Sequence, residues 1–464
     1  MLNIAKNLTK ISQCNDGLTS KFCLVLGLQW GIEGKRKLLN KLCVNYDYSC
    51  RFNGGVLYEP NILPNGEEMR MLPVGIQHSV KTKSIIGNGV IIDAKHLNND
   101  LNALSRNGIN YEDRLYISNR AHIETVLHKK VARRLREIRN DTIWINGEDA
   151  AMAFKPMKMG LRMAHLSDNW ESFEERYKRV KSTYEELFRI NVTQEEINAD
   201  LEQLKFLQSR LKKHKMIQDT VVMLNQKIYD GKRILVEDCS SSLMDVDFGV
   251  YPYTDSFNTT TGAVCTGLGV PEEAIETTIG VMSVTSLIKK AFLNHVKTFP
   301  SKVNPETESV AYESLKKQLS TKYEVNLEEY DFGWPDMNPI RHAHMLNKLS
   351  SIYLTNLDAL DELEDIKICK RYKIEGATNE DGTKQPDVEV EGIHPTIISD
   401  FERLTPVYKT LKGWKQDITE IEDFDRLPEN CKSMIKEIEK SIKVQIKYIS
   451  VNSEEDDGLL RILR

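Results

Sequence analysis

The chain has 464 residues, of which 40% are hydrophobic and 28% charged, and its formal net charge is −5. That balance lacks the basic footprint of a nucleic-acid binder, and no apolar run reaches the roughly 20 residues of a membrane helix. The eight cysteines, at 14, 23, 43, 50, 239, 265, 369 and 431, form no CxxC pair, which argues against a zinc site or disulfide framework and for a reducing compartment, the cytoplasm.

Residues 1–20 carry Lys6, Lys10 and Asp16 but no arginine, a poor match to a targeting signal; they are expected to be a flexible extension before one domain over 21–464. Phe22 to Lys37 then reads FCLVLGLQWGIEGKRK, an apolar strand, a glycine loop and a basic helix start. Such a junction gathers backbone N–H groups and the positive end of a helix dipole at one point, which suits a phosphate. Phosphoryl chemistry also needs a carboxylate there for a metal or a proton, and Ile32 supplies neither. Further strand-like runs follow at Ser84–Asp93, Arg233–Glu237, Ile352–Leu357 and Val444–Val451, separated by helical periodicity over Asn119–Ile138, about Asn169–Tyr229 and Asn430–Ile442. The alternation predicts an α/β fold, a large and mainly parallel sheet flanked by helices. Ala377–Gly392 is polar and reads as an exposed hairpin or loop. Met152, Met157, Met159 and Met163 are expected to fill core space. His342 and His344 lie in a helical stretch, where positions two apart do not face each other, so no metal clamp is expected from them. Cys239 has no assignable base.

Beyond the opening loop, several strings occur in order: CRFNGG (Cys50–Gly55), IIGNGV (Ile85–Val90), RLYISNRAH (Arg114–His122), DVDFGVYPY (Asp245–Tyr253), NTTTG (Asn258–Gly262), TGLGVP (Thr266–Pro271), FGW (Phe332–Trp334) and LPEN (Leu427–Asn430). Together they resemble the adenylosuccinate synthetase family over about residues 22–452. The resemblance implies a P-loop-related α/β fold, a homodimer, and the joining of IMP to aspartate with GTP hydrolysis and magnesium in purine nucleotide synthesis. It implies a loop carboxylate that removes a proton from the purine, so that its oxygen attacks the γ-phosphate, and a histidine acting as partner acid.

Position by position, the resemblance implies that the chemical groups have been replaced. The family's first loop, QWGDEGKGK, is matched by Gln29, Trp30, Gly31, Ile32, Glu33, Gly34, Lys35, Arg36 and Lys37; the base position is Ile32, and Arg36 stands where glycine lets a phosphate approach. Lys35 and Lys37 either still attract an anion or are exposed lysines of a helix's first turns. The acid's histidine falls at Pro60 and its neighbouring glycine at Glu59, so no metal ligand is expected at Ile32 or Glu59. In the threonine loop that grips the IMP phosphate stand Asn146, Glu148 and Asp149. A family arginine that reaches the other subunit's IMP falls near Lys158, the IMP-binding glutamine near Ser240, and a phosphate-binding threonine at Asp255. The arginine-rich run has become Leu327–Asp331. The guanine-reading string is Thr355, Asn356, Leu357 and Asp358, where Asp358 either still reads a guanine edge or caps the next helix. Ser450 keeps a family serine, and Asn452 replaces a glycine. One charge pair at 4 Å is worth about 4 kcal/mol near a protein surface, so two sign reversals would abolish useful aspartate binding.

The leading expectation is therefore a catalytically degenerate member, a structural or regulatory subunit in a homodimer or a heterodimer with an active homologue, with candidate nucleotide contacts at Gly31, Glu33, Gly34, Lys35, Arg36, Lys37, Asn356, Asp358 and Ser450. Magnesium and GTP are expected only where binding is retained, and a purine nucleotide remains a possible ligand. Two alternatives stand beside it: an active GTP-dependent synthetase whose groups are replaced in unforeseen ways, and a guanine-nucleotide sensor built on Asp358 and Lys35.

Overall fold

The computed structural model describes residues 17–462 apart from 58, 79–80, 141–142, 144, 291–298, 324, 376–385, 393 and 453–458. Its centre is a sheet of ten described strands: β1 Phe22–Gly27, β2 Tyr48–Arg51, β3 Lys83–Ile86, β4 Leu115–Ser118, β5 Ile217–Gln218, β6 Ile234–Ser241, β7 Thr277–Ser283, β8 Ser351–Thr355, β9 Ile446–Ser450 and β10 Leu459–Arg461. They lie in the order β5-β4-β3-β2-β6-β1-β7-β8-β9-β10. Every neighbouring pair is parallel except the last, β9 with β10.

The apolar run of β1 is explained by its place in the middle, where every residue is buried and both faces are covered. Successive side chains point to opposite faces. Leu24, Leu26 and Leu28 enter the largest hydrophobic cluster, whereas Cys23 and Val25 meet Leu38, Leu39 and Leu42 of helix α1, Lys35–Cys43. A Leu→Ala change at such a site typically costs about 2–5 kcal/mol. A separate cluster fills a helical lobe, where Phe173, Tyr177 and Tyr184 of the helix Trp170–Phe188 are buried.

Some expectations are corrected and others stand. Ser84–Asp93 is two strands in different sheets, β3 and Ile91–Asp93. The chain turns between them at Gly87–Gly89, and a Cβ on Gly89 would lie 2.0 Å from the carbonyl oxygen of Phe52. Asn119–Ile138 is not one helix: His122–Glu124 is a strand, and helix α2 spans Val126–Arg139. Thr125 starts it, its hydroxyl and backbone N–H both meeting Nδ1 of His128, a local cap that overrides the helical period upstream. Met157 is exposed, while Met163 is buried and Met159 packs against the second cluster. The stretch Trp170–Tyr229 is three helices, ending with Thr220–Tyr229. Of the expected polar hairpin, 377–385 lies outside the described residues, and Val388–Val390 pairs with Asp365–Ile374. Of the expected extension, 1–16 lies outside them, while Leu18 and Ser20 accept hydrogen bonds from Arg233 through their carbonyls.

Candidate nucleotide site

The carboxyl ends of parallel strands are where α/β sheets present ligand crevices, and the loop between β1 and α1 stands at the middle of that edge. Gly31 and Gly34 take left-handed backbone angles, φ 103° and 76°, which glycine adopts without Cβ strain. Their use here is to fold the loop around its own side chain. Glu33, buried, turns its carboxylate inward, where Oε1 accepts from the N–H groups of Gln29 at 2.9 Å and Gly31 at 3.0 Å and from the Ser241 hydroxyl. Its Oε2 lies 3.2 Å from Nζ of Lys35, which also donates to the Ser240 carbonyl. Gly27 is required by this arrangement, since a Cβ there would sit 1.9 Å from Oγ of Ser241. Burial would lower the Lys35 pKa, but the carboxylates of Glu33, Asp238 and Glu59 outweigh it and raise the value.

Lys35 and Lys37 are thus buried, not exposed lysines of a helix end. The Lys37 ammonium donates to Oγ of Ser450 at 3.2 Å and, through Asn452, to the backbone carbonyl at 3.2 Å and Oδ1 at 2.7 Å. Arg36 donates to the carbonyl of Pro60. Ile32, which packs against the largest hydrophobic cluster, shares a cavity of about 520 Å³ with Glu59, Pro60, Asn356, Ser450 and Asn452. The fold therefore brings most of the expected nucleotide contacts to one cleft. Asn356, at φ 61°, donates to Oγ of Ser283 at 3.1 Å.

Asp358 does not cap a helix. It is fully buried within the short helix Leu357–Leu360, and it accepts from the Tyr323 hydroxyl and from Nζ of Lys322 at 3.3 Å.

On the opposite side of the loop the expected anion-gripping residues form an acidic lobe. Asn146 caps helix α3, Gly147–Phe154, through its side chain, which accepts from the N–H of Asp149 at 3.0 Å. The side chain of Glu148 reaches the glycine turn, since a Cβ on Gly55 would lie 2.5 Å from its Oε2. Burial raises the pKa of Asp255 to about 7, that of Asp238 to about 6 and that of Glu148 upward too, with neighbouring carboxylates adding to it. One carboxylate oxygen each of Asp238 and Asp255 is buried without a hydrogen-bond partner. Cys239 packs against Gly54, and burial pushes its thiol pKa well up, so it is no thiolate nucleophile. Lys158, at φ 62°, is exposed and outside this cluster. In place of the arginine run, Asp331 pairs with Lys302 at 2.6 Å and Glu328 and Glu329 face solvent. His342 and His344 sit on the helix Met337–Asn347, where the His342 ring lies tilted against that of His394, their centroids 5.3 Å apart.

A model of the adenylosuccinate synthetase family matches residues 24–459. The chain belongs to the adenylosuccinate synthetase family. It is 33% identical to the adenylosuccinate synthetase of Paramecium tetraurelia, covering 97% of this chain and 100% of that protein, and 32% identical to that of Schizosaccharomyces pombe, covering 98% of each. The solved structure of fully ligated adenylosuccinate synthetase from Plasmodium falciparum matches with a TM-score of 0.81 at 27% identity, over 96% of this chain and 100% of that one.

Set beside this family's chemistry, the loop's carboxylate position is Ile32, and the Glu33 carboxylate is already engaged by three donors and Lys35. No helix among the described residues is long and apolar enough to cross a membrane. Sequence reasoning missed three features: the inward Glu33, the Asn452–Lys37 bond and the Tyr323–Asp358 contact. The first had a signal, an acid two residues before a basic helix start; the others join positions 415 and 35 residues apart.

Proposed function

We propose that this chain is a catalytically degenerate adenylosuccinate synthetase homologue of the cytoplasm, serving as a structural or regulatory subunit in a homodimer or in a heterodimer with an active homologue. The observation that carries the reading is the self-satisfied loop. A proton-abstracting base must reach a substrate atom, yet Ile32 lies at that position and the adjoining loop carboxylate, Glu33, points away into Ser241 and Lys35. The acidic lobe supports it: Glu148, Asp149 and Asp255 are buried carboxyls whose pKa values are raised, and none of them supplies positive charge to an anionic IMP phosphate. The losses fall on charged positions while the apolar framework is retained, which fits a fold kept for its surface.

The test is turnover. Purified protein given IMP, GTP, aspartate and magnesium is expected to form no adenylosuccinate, and clear turnover would establish the active-synthetase reading instead. Ile32→Asp with Pro60→His is expected not to restore activity, because Glu328 and Glu329 stand where the family places arginines. Sedimentation should show a dimer, alone or with an active homologue; a strictly monomeric protein would remove the subunit reading. Calorimetry with GTP and magnesium decides the sensor alternative, which requires magnesium-dependent binding.

A further inference from the structure

His342 finds its partner across the fold and not along its own helix. Its ring and that of His394 are inclined by 35°, with centroids 5.3 Å apart. His394 is only 7% exposed, packed between Trp30 of the glycine loop at 5.8 Å and Phe401 at 6.3 Å. Neither of its ring nitrogens has a hydrogen-bond partner, and a buried imidazole left in that state calls for an explanation. Nε2 of His342 meets the backbone carbonyl of Phe248 at 3.3 Å. A carbonyl only accepts, so Nε2 carries the proton and Nδ1 keeps its lone pair. An N–H held in this way by a backbone carbonyl is how metal-binding imidazoles are commonly oriented. Burial holds the His394 pKa down at about 3, with His342 adding to the effect, and burial lowers that of His342 as well. Both rings are therefore neutral near pH 7 and need lose no proton to bind a cation.

We propose that His342 and His394 form a two-histidine site for a divalent transition-metal ion of the zinc class, seated against Trp30 of the glycine loop. A Zn–N bond of about 2.0–2.1 Å puts the ion roughly 3.2 Å from each ring centre, and at a tetrahedral angle two such rings stand about 5.2 Å apart. The spacing of this pair matches that value. Imidazole nitrogen suits zinc, copper or nickel, whereas magnesium and calcium take oxygen. No third His, Cys, Asp or Glu is grouped with the pair among the described residues, so water completes the shell. The half-buried His342 gives the ion its way in from solvent. This site lies apart from the reading of catalytic loss, and its test uses no nucleotide.

The probe is cobalt(II) chloride titrated into the metal-free full chain, because Co²⁺ adopts zinc's tetrahedral geometry and quenches a nearby indole. A saturable part of the tryptophan fluorescence is expected to be quenched, to return when the tighter-binding Zn²⁺ is added, and to be missing from Trp30→Phe. His342→Gln and His394→Phe should each raise the Co²⁺ midpoint at least tenfold, since losing even an outer partner of a metal ligand costs about 10–100-fold. His344→Ala, on the same helix, should leave it unchanged. Absence of saturable quenching, quenching that survives Trp30→Phe in full, or a midpoint that ignores His342→Gln would each overturn the site, as would an equal loss in His344→Ala. Should His394→Phe lose its cooperative melt, His342→Gln decides alone: a tenfold shift supports the pair, and none removes it.

Discussion

The two sides of the glycine loop hold their charges in different ways. On the α1 side the remaining ions have found one another: Glu33 takes Lys35, and Lys37 takes Ser450 and Asn452. On the α3 side carboxylates crowd without enough donors, and Asp238 and Asp255 each keep a buried oxygen unpartnered. A paired buried charge contributes through its partner, whereas a crowded one is held only by staying protonated. The first region should therefore be fragile to single substitutions, and the second to rising pH.

The largest effect is expected at Glu33. Replacing it with alanine leaves the buried Lys35 ammonium, two loop N–H groups and the Ser241 hydroxyl without their acceptor, and breaking one member of a buried pair costs about 3–5 kcal/mol. Urea denaturation at pH 7 should show that loss; a change under about 1 kcal/mol would mean that the loop is held by something other than its glutamate.

The acidic side should behave oppositely. Burial raises Asp238 to about 6 and Asp255 and Glu237 each to about 7. The folded state then holds more protons than the unfolded chain between the ordinary carboxylate range and these values, so this contribution to stability is complete below pH 4 or so and is lost as pH rises through 6 to 7. Asp255→Asn removes one such group without changing its shape. It should raise stability at pH 8, on the order of 1–3 kcal/mol, and change it little at pH 5. Parallel pH profiles for the two proteins would sink this reading of the lobe.

The sheet was legible because its evidence is local. The continuous apolar run of Phe22–Gly27 says that both faces are covered, and the glycines at 31 and 34 announce a loop with left-handed angles. The break at Gly87–Gly89 was not, because a strand and a strand-turn-strand share one apolar composition, and the close approach to Phe52 is a tertiary fact. Within the site the loop residues could be named one by one against the family strings. Their partners could not: nothing near Asp358 in the chain indicates that Tyr323 covers it, and the burial of Lys35 and Lys37 depends on β6 and β9 lying on either side of the loop.

Asn452 sharpens the comparison from its small end. Its Oδ1 is one of the acceptors around the Lys37 ammonium, and the backbone carbonyl and Ser450 remain after Asn452→Gly. A single hydrogen bond to a charged donor that water can replace is worth about 1 kcal/mol or less in net stability, so this variant should melt nearly as the wild type does, far above Glu33→Ala. The donor it releases lies on the 520 Å³ cavity beside Arg36. Inorganic phosphate should accordingly raise the melting temperature of Asn452→Gly more than that of the wild type. An identical phosphate response in both would show that the asparagine is filling space on the α1 side and is not quenching a charge there.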